Sequence, residues 1–128
     1  MSKSATTQKY WGYSTSLDAR DCDLASITDP VKIKKFLKDL VKRIDMVAYG
    51  TPKVVRFGEG NKAGVTAIQL IETSCITIHF VDDNGEGVPC LYADVFSCKP
   101  YDTNVLIECF REYFGHTQER IVYTVRHA

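Results

Sequence analysis

Two segments of this 128-residue sequence have the apolar spacing of amphipathic helices, and segments of strand-like composition surround both of them. Between Val31 and Met46 apolar residues recur at every third or fourth position, and lysines occupy the opposite face. Asp29 can cap the first amide groups of this helix, and Pro30 suits its first position. The same spacing predicts a second helix from Thr103 to Phe114. The apolar faces of these two helices must be buried, and a sheet formed by the surrounding strands can bury them.

Six further segments are rich in β-branched and aromatic residues, which is typical of strands. They run from Tyr10 to Leu17, Lys53 to Phe57, Val65 to Ile71, Cys75 to Val81, Leu91 to Phe96 and Arg120 to Val125. The turn sequence from Asp82 to Gly85 predicts that the strands on either side of it pair antiparallel. The order of elements therefore predicts an α+β fold for residues 1–128 as a single domain. This fold is a two-layer sandwich, with a mainly antiparallel sheet and two helices on one face.

The sheet and the composition together indicate what kind of protein this is. Small sheets that are apolar on both faces are commonly buried in a symmetric dimer, so a homodimer is expected. Sixteen Lys and Arg balance sixteen Asp and Glu, and this zero net charge does not favour a nucleic-acid partner. The five cysteines form no CxxC motif, so a cytoplasmic protein with neither a disulfide framework nor a metal is expected. Residues 1–8 are predicted to be a polar tail, and no apolar run predicts a signal segment or a membrane span.

One serine and one histidine in the central segment could carry chemistry. Ser74 lies at a predicted strand junction, and His79 follows five residues later. These residue types alone are a weak signal, because a serine or histidine in a strand is most often a hydrogen-bonded structural residue. In a regular strand the two side chains would also point to opposite faces of the sheet. Cooperation between them therefore requires Ser74 to lie at a turn or bulge before the strand proper.

Three motifs in the sequence resemble those of one enzyme family. The run Ser74-Cys-Ile-Thr-Ile-His79 resembles the Ser-His-Ile-Ser-Ile-His core of the short bacterial and archaeal S-adenosylmethionine decarboxylase proenzymes. Gly64-Val-Thr stands ten residues before the serine, as it does in that family. Downstream, Ala93-Asp-Val-Phe-Ser-Cys98 resembles the family's Ile-Asp-Val-Phe-Thr-Cys. The resemblance covers residues 10 to 127.

The resemblance implies a self-processing enzyme whose cofactor is a pyruvoyl group made from Ser74. The bond between Thr73 and Ser74 is the expected cleavage site, giving chains of 73 and 55 residues. In the family, residues matching Thr66 and His79 serve this processing step. Cys98 matches the cysteine that returns a proton to the substrate after decarboxylation, which suits a thiol because its pKa lies close to neutrality. Ser74, His79 and Cys98 are thus the expected catalytic residues of a pyruvoyl-dependent carboxy-lyase, in which the pyruvoyl ketone forms a Schiff base with the substrate amine.

The resemblance also implies a substrate, and here the sequence leaves an alternative. The family acts on S-adenosylmethionine in spermidine (polyamine) biosynthesis, and Phe57 and Asp83 resemble the residues that stack on the adenine and hold the ribose. Divergent members, including some from bacteriophages, act on ornithine or arginine instead. An acidic loop with Asp82, Asp83 and Glu86 could bind such a basic amino acid. S-adenosylmethionine and a basic amino acid, either ornithine or arginine, are therefore both candidate small-molecule substrates.

A non-catalytic relative is a further hypothesis. The family has glutamate before the serine and histidine after it, whereas this chain has Thr73 and Cys75. An unprocessed homologue that serves as a regulatory or binding subunit would tolerate these changes. Such a homologue has no chemical reason to retain Ser74, His79 and Cys98 together, which favours the enzyme. The spacing of Cys75, His79 and Cys98 matches no zinc-binding pattern, so no metal is expected.

Overall fold

The computed structural model describes residues 9–128, so the polar tail predicted for residues 1–8 lies outside the described residues. The described chain contains six strands and three α-helices. In chain order they are β1 (Gly12–Arg20), α1 (Leu24–Ile27), α2 (Pro30–Arg43), β2 (Lys53–Phe57), β3 (Gly64–Ile71), β4 (Ser74–Val81), β5 (Cys90–Ser97), α3 (Thr103–Phe114) and β6 (Gln118–Arg126).

All six strands belong to one antiparallel sheet, in the order β2-β3-β4-β5-β1-β6. The helices α2 and α3 pack on one face of this sheet, so the predicted α+β sandwich is confirmed. The antiparallel pairing of β4 with β5 across the loop that begins at Asp82 is confirmed as well. The sequence does not predict α1, because a helix of four residues is too short to show a period. No helix of residues 9–128 is long and apolar enough to cross a membrane.

Aspartate caps begin both long helices. The side chain of Asp29 accepts hydrogen bonds from the amides of Val31 and Lys32 at 3.0 and 3.2 Å, and Asp102 caps α3 in the same way. The helix predicted to continue to Met46 ends at Arg43. It ends there because Asp45 adopts a left-handed conformation, with φ of 57°, which turns the chain out of the helix.

Aromatic side chains between the helices and the sheet form the centre of the core. The ring of Phe36 on α2 lies 4.7 Å from that of Phe110 and 4.8 Å from that of Phe114, both on α3. Phe80 of β4 contacts Phe114 at 4.9 Å. Each fully buried phenylalanine contributes about 1.5–3 kcal/mol to stability. The helices therefore hold β4 firmly in place.

The opposite face of the sheet, here called the open face, is chemically mixed. Side chains alternate along each strand, so the residues between the buried ones point to this face. The expected apolar character is present at the β2–β3 end, whereas the middle carries polar groups such as Ser16, which donates to Asp94 at 3.0 Å. The open face includes Val55 and Phe57 of β2, Thr66, Ile68 and Leu70 of β3, Thr77 and His79 of β4, Tyr92 and Asp94 of β5, Ser14 and Ser16 of β1, and Val122 of β6.

Candidate active site

A two-residue turn places Ser74 at one end of the sheet. β3 ends at Ile71 and β4 begins at Ser74, its direct partner in the ladder, so Glu72 and Thr73 form the turn. Thr73 has a φ of 53°, in the left-handed region. A non-glycine residue with a branched β-carbon occupies that region at a cost of about 1–2 kcal/mol. The peptide bond expected to break therefore follows a strained residue.

Ser74 and Cys98 are in direct contact. The backbone N–H of Cys98 donates a hydrogen bond to Ser74 Oγ at 2.9 Å, although the two residues are 24 positions apart. The Cys98 thiol in turn donates to the Glu72 carbonyl oxygen at 3.7 Å. The contact forms because β5 neighbours β4 and ends at Ser97, beside the start of β4. The structure thus brings together two of the three predicted catalytic residues, and both are half-buried.

The two residues open into a cleft of about 160 Å³. Pockets that enclose a whole small-molecule ligand usually measure about 300–1,000 Å³, so this cleft fits one end of a substrate. Lys99 stands at its rim and pairs with Asp45 at 3.5 Å. The lining residues are Met46, Val47, Ile71, Glu72, Ser74, Ser97, Cys98 and Lys99.

The amide of Cys98 polarises the Ser74 hydroxyl. An N–H that donates to Oγ stabilises negative charge as it develops on that oxygen. The proton of the hydroxyl remains available to a base, because the oxygen is the acceptor in this contact. Among residues 9–128 of one copy, no imidazole hydrogen-bonds to Ser74. Within one copy, this end of the sheet therefore has a serine hydroxyl that accepts from an amide and has no histidine hydrogen-bonded to it.

His79 lies on the open face with Thr66 beside it. The two residues pair directly across β3 and β4, and Thr66 Oγ1 lies 3.3 Å from His79 Nδ1. On the other side, the register places Tyr92 of β5 opposite His79. A partner on Nδ1 leaves Nε2, on the far side of the ring, to exchange a proton. The resemblance assigns Thr66 and His79, together with Ser74, to processing. The structure thus brings Thr66 and His79 together.

Ser74 and His79 do not meet within one copy of the chain. β4 is paired without a bulge from Ser74 to Val81, and five residues of extended strand span about 16 Å. Ser74 alternates in phase with buried Ile76 and Ile78, whereas His79 points to the open face. Cooperation within a single chain would require a turn or bulge that brings Ser74 to the side of His79. The turn before Ser74 does not do this, so the two residues of one chain cannot cooperate in this geometry.

Phe57 lies on the same face as Thr66 and His79. Its side chain is 53% exposed, so it is not part of the core. It pairs with Gly64 of β3, where a β-carbon would lie 2.2 Å from the Phe80 carbonyl oxygen. Only glycine allows β3 and β4 to approach this closely. The glycine of the Gly-Val-Thr motif therefore sets the spacing of the strands that carry Phe57, Thr66 and His79.

Asp83 has a structural role in its own loop. Its Oδ1 accepts hydrogen bonds from the amides of Gly85 and Gly87, both at 2.8 Å. Both glycines have positive φ values, of 99° and 80°, as this tight loop requires. The structure thus gives the Asp83 carboxylate backbone partners, which leaves it less capacity for a ribose.

The other two acidic residues of that loop also have partners. Arg56 binds Asp82 with two hydrogen bonds of 2.6 Å, and this contact lowers the pKa of the Asp82 carboxyl below its usual value. Glu86 lies 3.6 Å from Arg20. Pairing of this kind reduces the negative potential available to a cationic side chain. The loop therefore offers less to ornithine or arginine than its sequence indicates.

Three other cysteines are buried, and their thiols are unreactive. Burial raises the pKa of the Cys22 and Cys109 thiols to about 12, and it raises that of Cys90 above its ordinary value. A thiol that stays protonated at neutral pH does not exchange protons readily. These three residues therefore act as small buried side chains.

Sequence reasoning missed two features of the site. One is the Cys98 amide as the partner of Ser74 Oγ, and the other is Tyr92 as the cross-strand neighbour of His79. Both depend on the register of β4 against β5. The loop between these strands spans residues 82–89, and a loop of this length does not fix the register from sequence.

Comparisons with known proteins bear on the family and on the fold. The family model described as S-adenosylmethionine decarboxylase matches residues 13–127, nearly the whole chain. The chain belongs to the S-adenosylmethionine decarboxylase family. Its fold is similar to the crystal structure of the adenosylmethionine decarboxylase from Aquifex aeolicus VF5, with a TM-score of 0.77, 18% sequence identity and 94% of each chain covered. No curated protein sequence matches the chain significantly. Membership of the S-adenosylmethionine decarboxylase family supports a decarboxylase function.

Proposed function

We propose that this chain is a self-processing, pyruvoyl-dependent decarboxylase that acts on S-adenosylmethionine. The observation that carries the proposal is the 2.9 Å contact between the Cys98 amide and Ser74 Oγ, in a chain that belongs to the S-adenosylmethionine decarboxylase family. The residues fit a pyruvoyl group, because Ser74 begins a strand beside both an amide donor and a thiol. The proposal includes a role in spermidine biosynthesis, which the resemblance implies, and a location in the cytoplasm, which the five free cysteines of residues 9–128 favour.

Self-cleavage begins at Ser74. Its Oγ attacks the carbonyl carbon of Thr73, the C–N bond breaks, and the former amide nitrogen takes a proton to become an amine. His79 then removes the α-proton of Ser74, and elimination breaks the bond from Cβ to oxygen, which releases Thr73 as a carboxylate. Water hydrolyses the resulting enamine to a ketone and ammonia. The products are chains of 73 and 55 residues.

A second copy of the chain supplies the histidine in this proposal. Within one copy about 16 Å of strand separates Ser74 from His79, and the two point to opposite sides of the sheet. His79, Thr66 and Phe57 share the open face, and the proposal requires a symmetric homodimer that brings these residues of one copy to the Ser74 end of the sheet of the other. Each dimer would then have two equivalent sites. Each site would combine Ser74 and Cys98 of one copy with His79, Thr66 and Phe57 of the other.

Decarboxylation uses the same end of the sheet. The pyruvoyl ketone supplies an electrophile for the substrate amine and an electron sink as carbon dioxide leaves. Cys98 stands beside that position and returns a proton to the substrate α-carbon. The cleft of about 160 Å³ holds the amino acid end of the substrate. The remainder extends toward Phe57 of the second copy, whose exposed ring offers a stacking surface to adenine.

Replacing Cys98 with alanine separates the two reactions. We expect Cys98→Ala to cut itself, because its backbone amide still donates to Ser74 Oγ, and to release carbon dioxide roughly 10²–10⁴-fold more slowly. Cys75→Ala is the matched control, since Cys75 is equally half-buried and its thiol contacts only Thr77 among the described residues. Wild-type turnover by Cys98→Ala would remove the thiol from the mechanism.

Replacing Thr73 with glycine tests the strained residue at the cleavage site. Glycine tolerates φ of 53°, so Thr73→Gly should stabilise the precursor and slow self-cleavage about fivefold to tenfold, as the loss of ~1 kcal/mol of strain predicts. The rate is measured as the disappearance of uncut chain. Asp21→Gly is the control, because Asp21 has a similar φ of 62° far from Ser74. Equal cleavage rates for Thr73→Gly and the wild type would show that strain does not drive the reaction.

The substrate is tested by release of labelled carbon dioxide from three carboxyl-labelled compounds. We expect release from S-adenosylmethionine and little from ornithine or arginine, because Arg56, Arg20 and the backbone occupy the acidic groups of the loop. Release from ornithine or arginine alone would assign the enzyme to basic amino acids. A chain that stays uncut and releases nothing would favour the regulatory or binding subunit.

A further inference from the structure

Tyr92 is the largest side chain next to His79 on the open face. The register of β4 and β5 places the two residues directly opposite each other. Side chains in directly opposite positions have β-carbons about 4.5–5.5 Å apart, so the phenol and the imidazole are immediate neighbours. Thr66 is the opposite neighbour on β3. The imidazole therefore lies between a small hydroxyl side chain on one strand and a large aromatic ring on the other.

The two neighbours restrict the imidazole in different ways. Thr66 Oγ1, 3.3 Å from Nδ1, holds one edge of the ring by a hydrogen bond. One hydrogen bond alone leaves the ring free to swing about its Cα–Cβ bond toward β5. The register places the Tyr92 side chain on that side. Its side chain is 39% exposed, so most of it lies against the sheet surface.

The hydroxyl of Tyr92 stays neutral beside His79. Burial raises the pKa of the Tyr92 phenol, and the neighbouring Cys90 and Asp18 raise it further, while Arg20 opposes them. The phenol therefore adds no negative charge next to the imidazole at neutral pH. What it contributes to the position of His79 is the volume of its ring.

We propose that Tyr92 is a positioning residue for His79, and that its ring keeps the imidazole against Thr66 with Nε2 directed away from the sheet. This inference rests on the proposed function, in which His79 serves as the base during self-cleavage and must present one nitrogen to a second copy. A base held in one orientation reacts faster than one that samples several, since misplacement of a catalytic group is costly. Neither Ser74 nor Cys98 supplies this restraint, because Ser74 begins β4 and Cys98 contacts Ser74 there, at the other end of the strand from His79.

Three variants test the proposal. Tyr92→Ala should slow cleavage at the Thr73–Ser74 bond about tenfold, the effect of roughly 1.4 kcal/mol, whereas Tyr92→Phe, which keeps the ring, should cut at the wild-type rate. Val122→Ala is the matched control, because Val122 is an exposed apolar residue of the open face on β6. It should also cut at the wild-type rate.

A second measurement reports the imidazole itself. Nitrogen-15 NMR of His79 shows which ring nitrogen carries the proton and whether Nδ1 keeps its hydrogen bond. The resonances should change in Tyr92→Ala and stay unchanged in Tyr92→Phe and Val122→Ala.

The outcomes separate the positioning role from the proposed function. Wild-type cleavage and unchanged His79 resonances in Tyr92→Ala would overturn the proposal, as would equal slowing by Tyr92→Phe or by Val122→Ala. If the wild-type chain does not cut itself, the proposed function fails. The His79 resonances then still decide whether Tyr92 positions the ring.

Discussion

Ser74→Ala is expected to remain uncut and to lack decarboxylase activity while keeping its fold. The substitution removes the only atom of residue 74 that can attack the Thr73 carbonyl, and with it the source of the pyruvoyl ketone. The folded state loses one hydrogen bond, from the Cys98 amide, which is worth about 1 kcal/mol. The measurement is the mass of the denatured chain together with carbon dioxide release and a thermal unfolding curve.

A serine elsewhere in the sheet provides the control for this variant. Ser16 lies on the open face and donates to Asp94, so Ser16→Ala loses a side-chain hydrogen bond of similar kind without touching the cleavage site. We expect Ser16→Ala to cut itself normally. Residual carbon dioxide release by Ser74→Ala at a rate near that of the wild type would exclude a pyruvoyl group derived from Ser74.

Mixing two inactive variants is expected to restore cleavage. Ser74→Ala lacks the nucleophile and His79→Gln lacks the base, so each alone stays uncut. In a mixed dimer, one site combines Ser74 of the His79→Gln copy with His79 of the Ser74→Ala copy, and that site is complete. At equal expression about half of the dimers are mixed, so about half of the His79→Gln copies are cut and activity reaches about a quarter of the wild-type value.

The identity of the fragments makes this experiment decisive for the dimer. Every 55-residue fragment must carry glutamine at position 79, because only the His79→Gln copy retains Ser74. Mixed and single expression can be compared in the same mass spectrum. If Ser74 and His79 of the same copy work together, co-expression gives no cut chain. That result would contradict the two-copy site.

The helices and strands are predictable from the sequence because their signals are local. The spacing of apolar residues around Phe36 and the cap at Asp29 depend on neighbours within a few positions, and the structure confirms α2 at that place. The same local view fails at Asp45, whose left-handed conformation ends α2 earlier than the apolar pattern predicts. It fails again at α1, which is only four residues long.

The site is harder to predict because it depends on register and on faces. Two separate motifs indicate Ser74 and Cys98 as important residues, but only the register of β4 against β5 shows that the Cys98 amide meets the Ser74 hydroxyl. Alternation along β4 already predicts the separation of Ser74 from His79. The role of Asp83 was not predictable, since its partners are backbone amides of the loop it belongs to.

The central claim is that the chain cuts itself before Ser74 and converts that residue into a ketone. The most direct test is the intact mass of freshly purified protein under denaturing conditions. Two fragments are expected, of 73 and 55 residues, the second lighter by one ammonia than its sequence requires. A single chain of 128 residues that stays uncut on prolonged incubation would contradict it. So would a 55-residue fragment that begins with an intact serine.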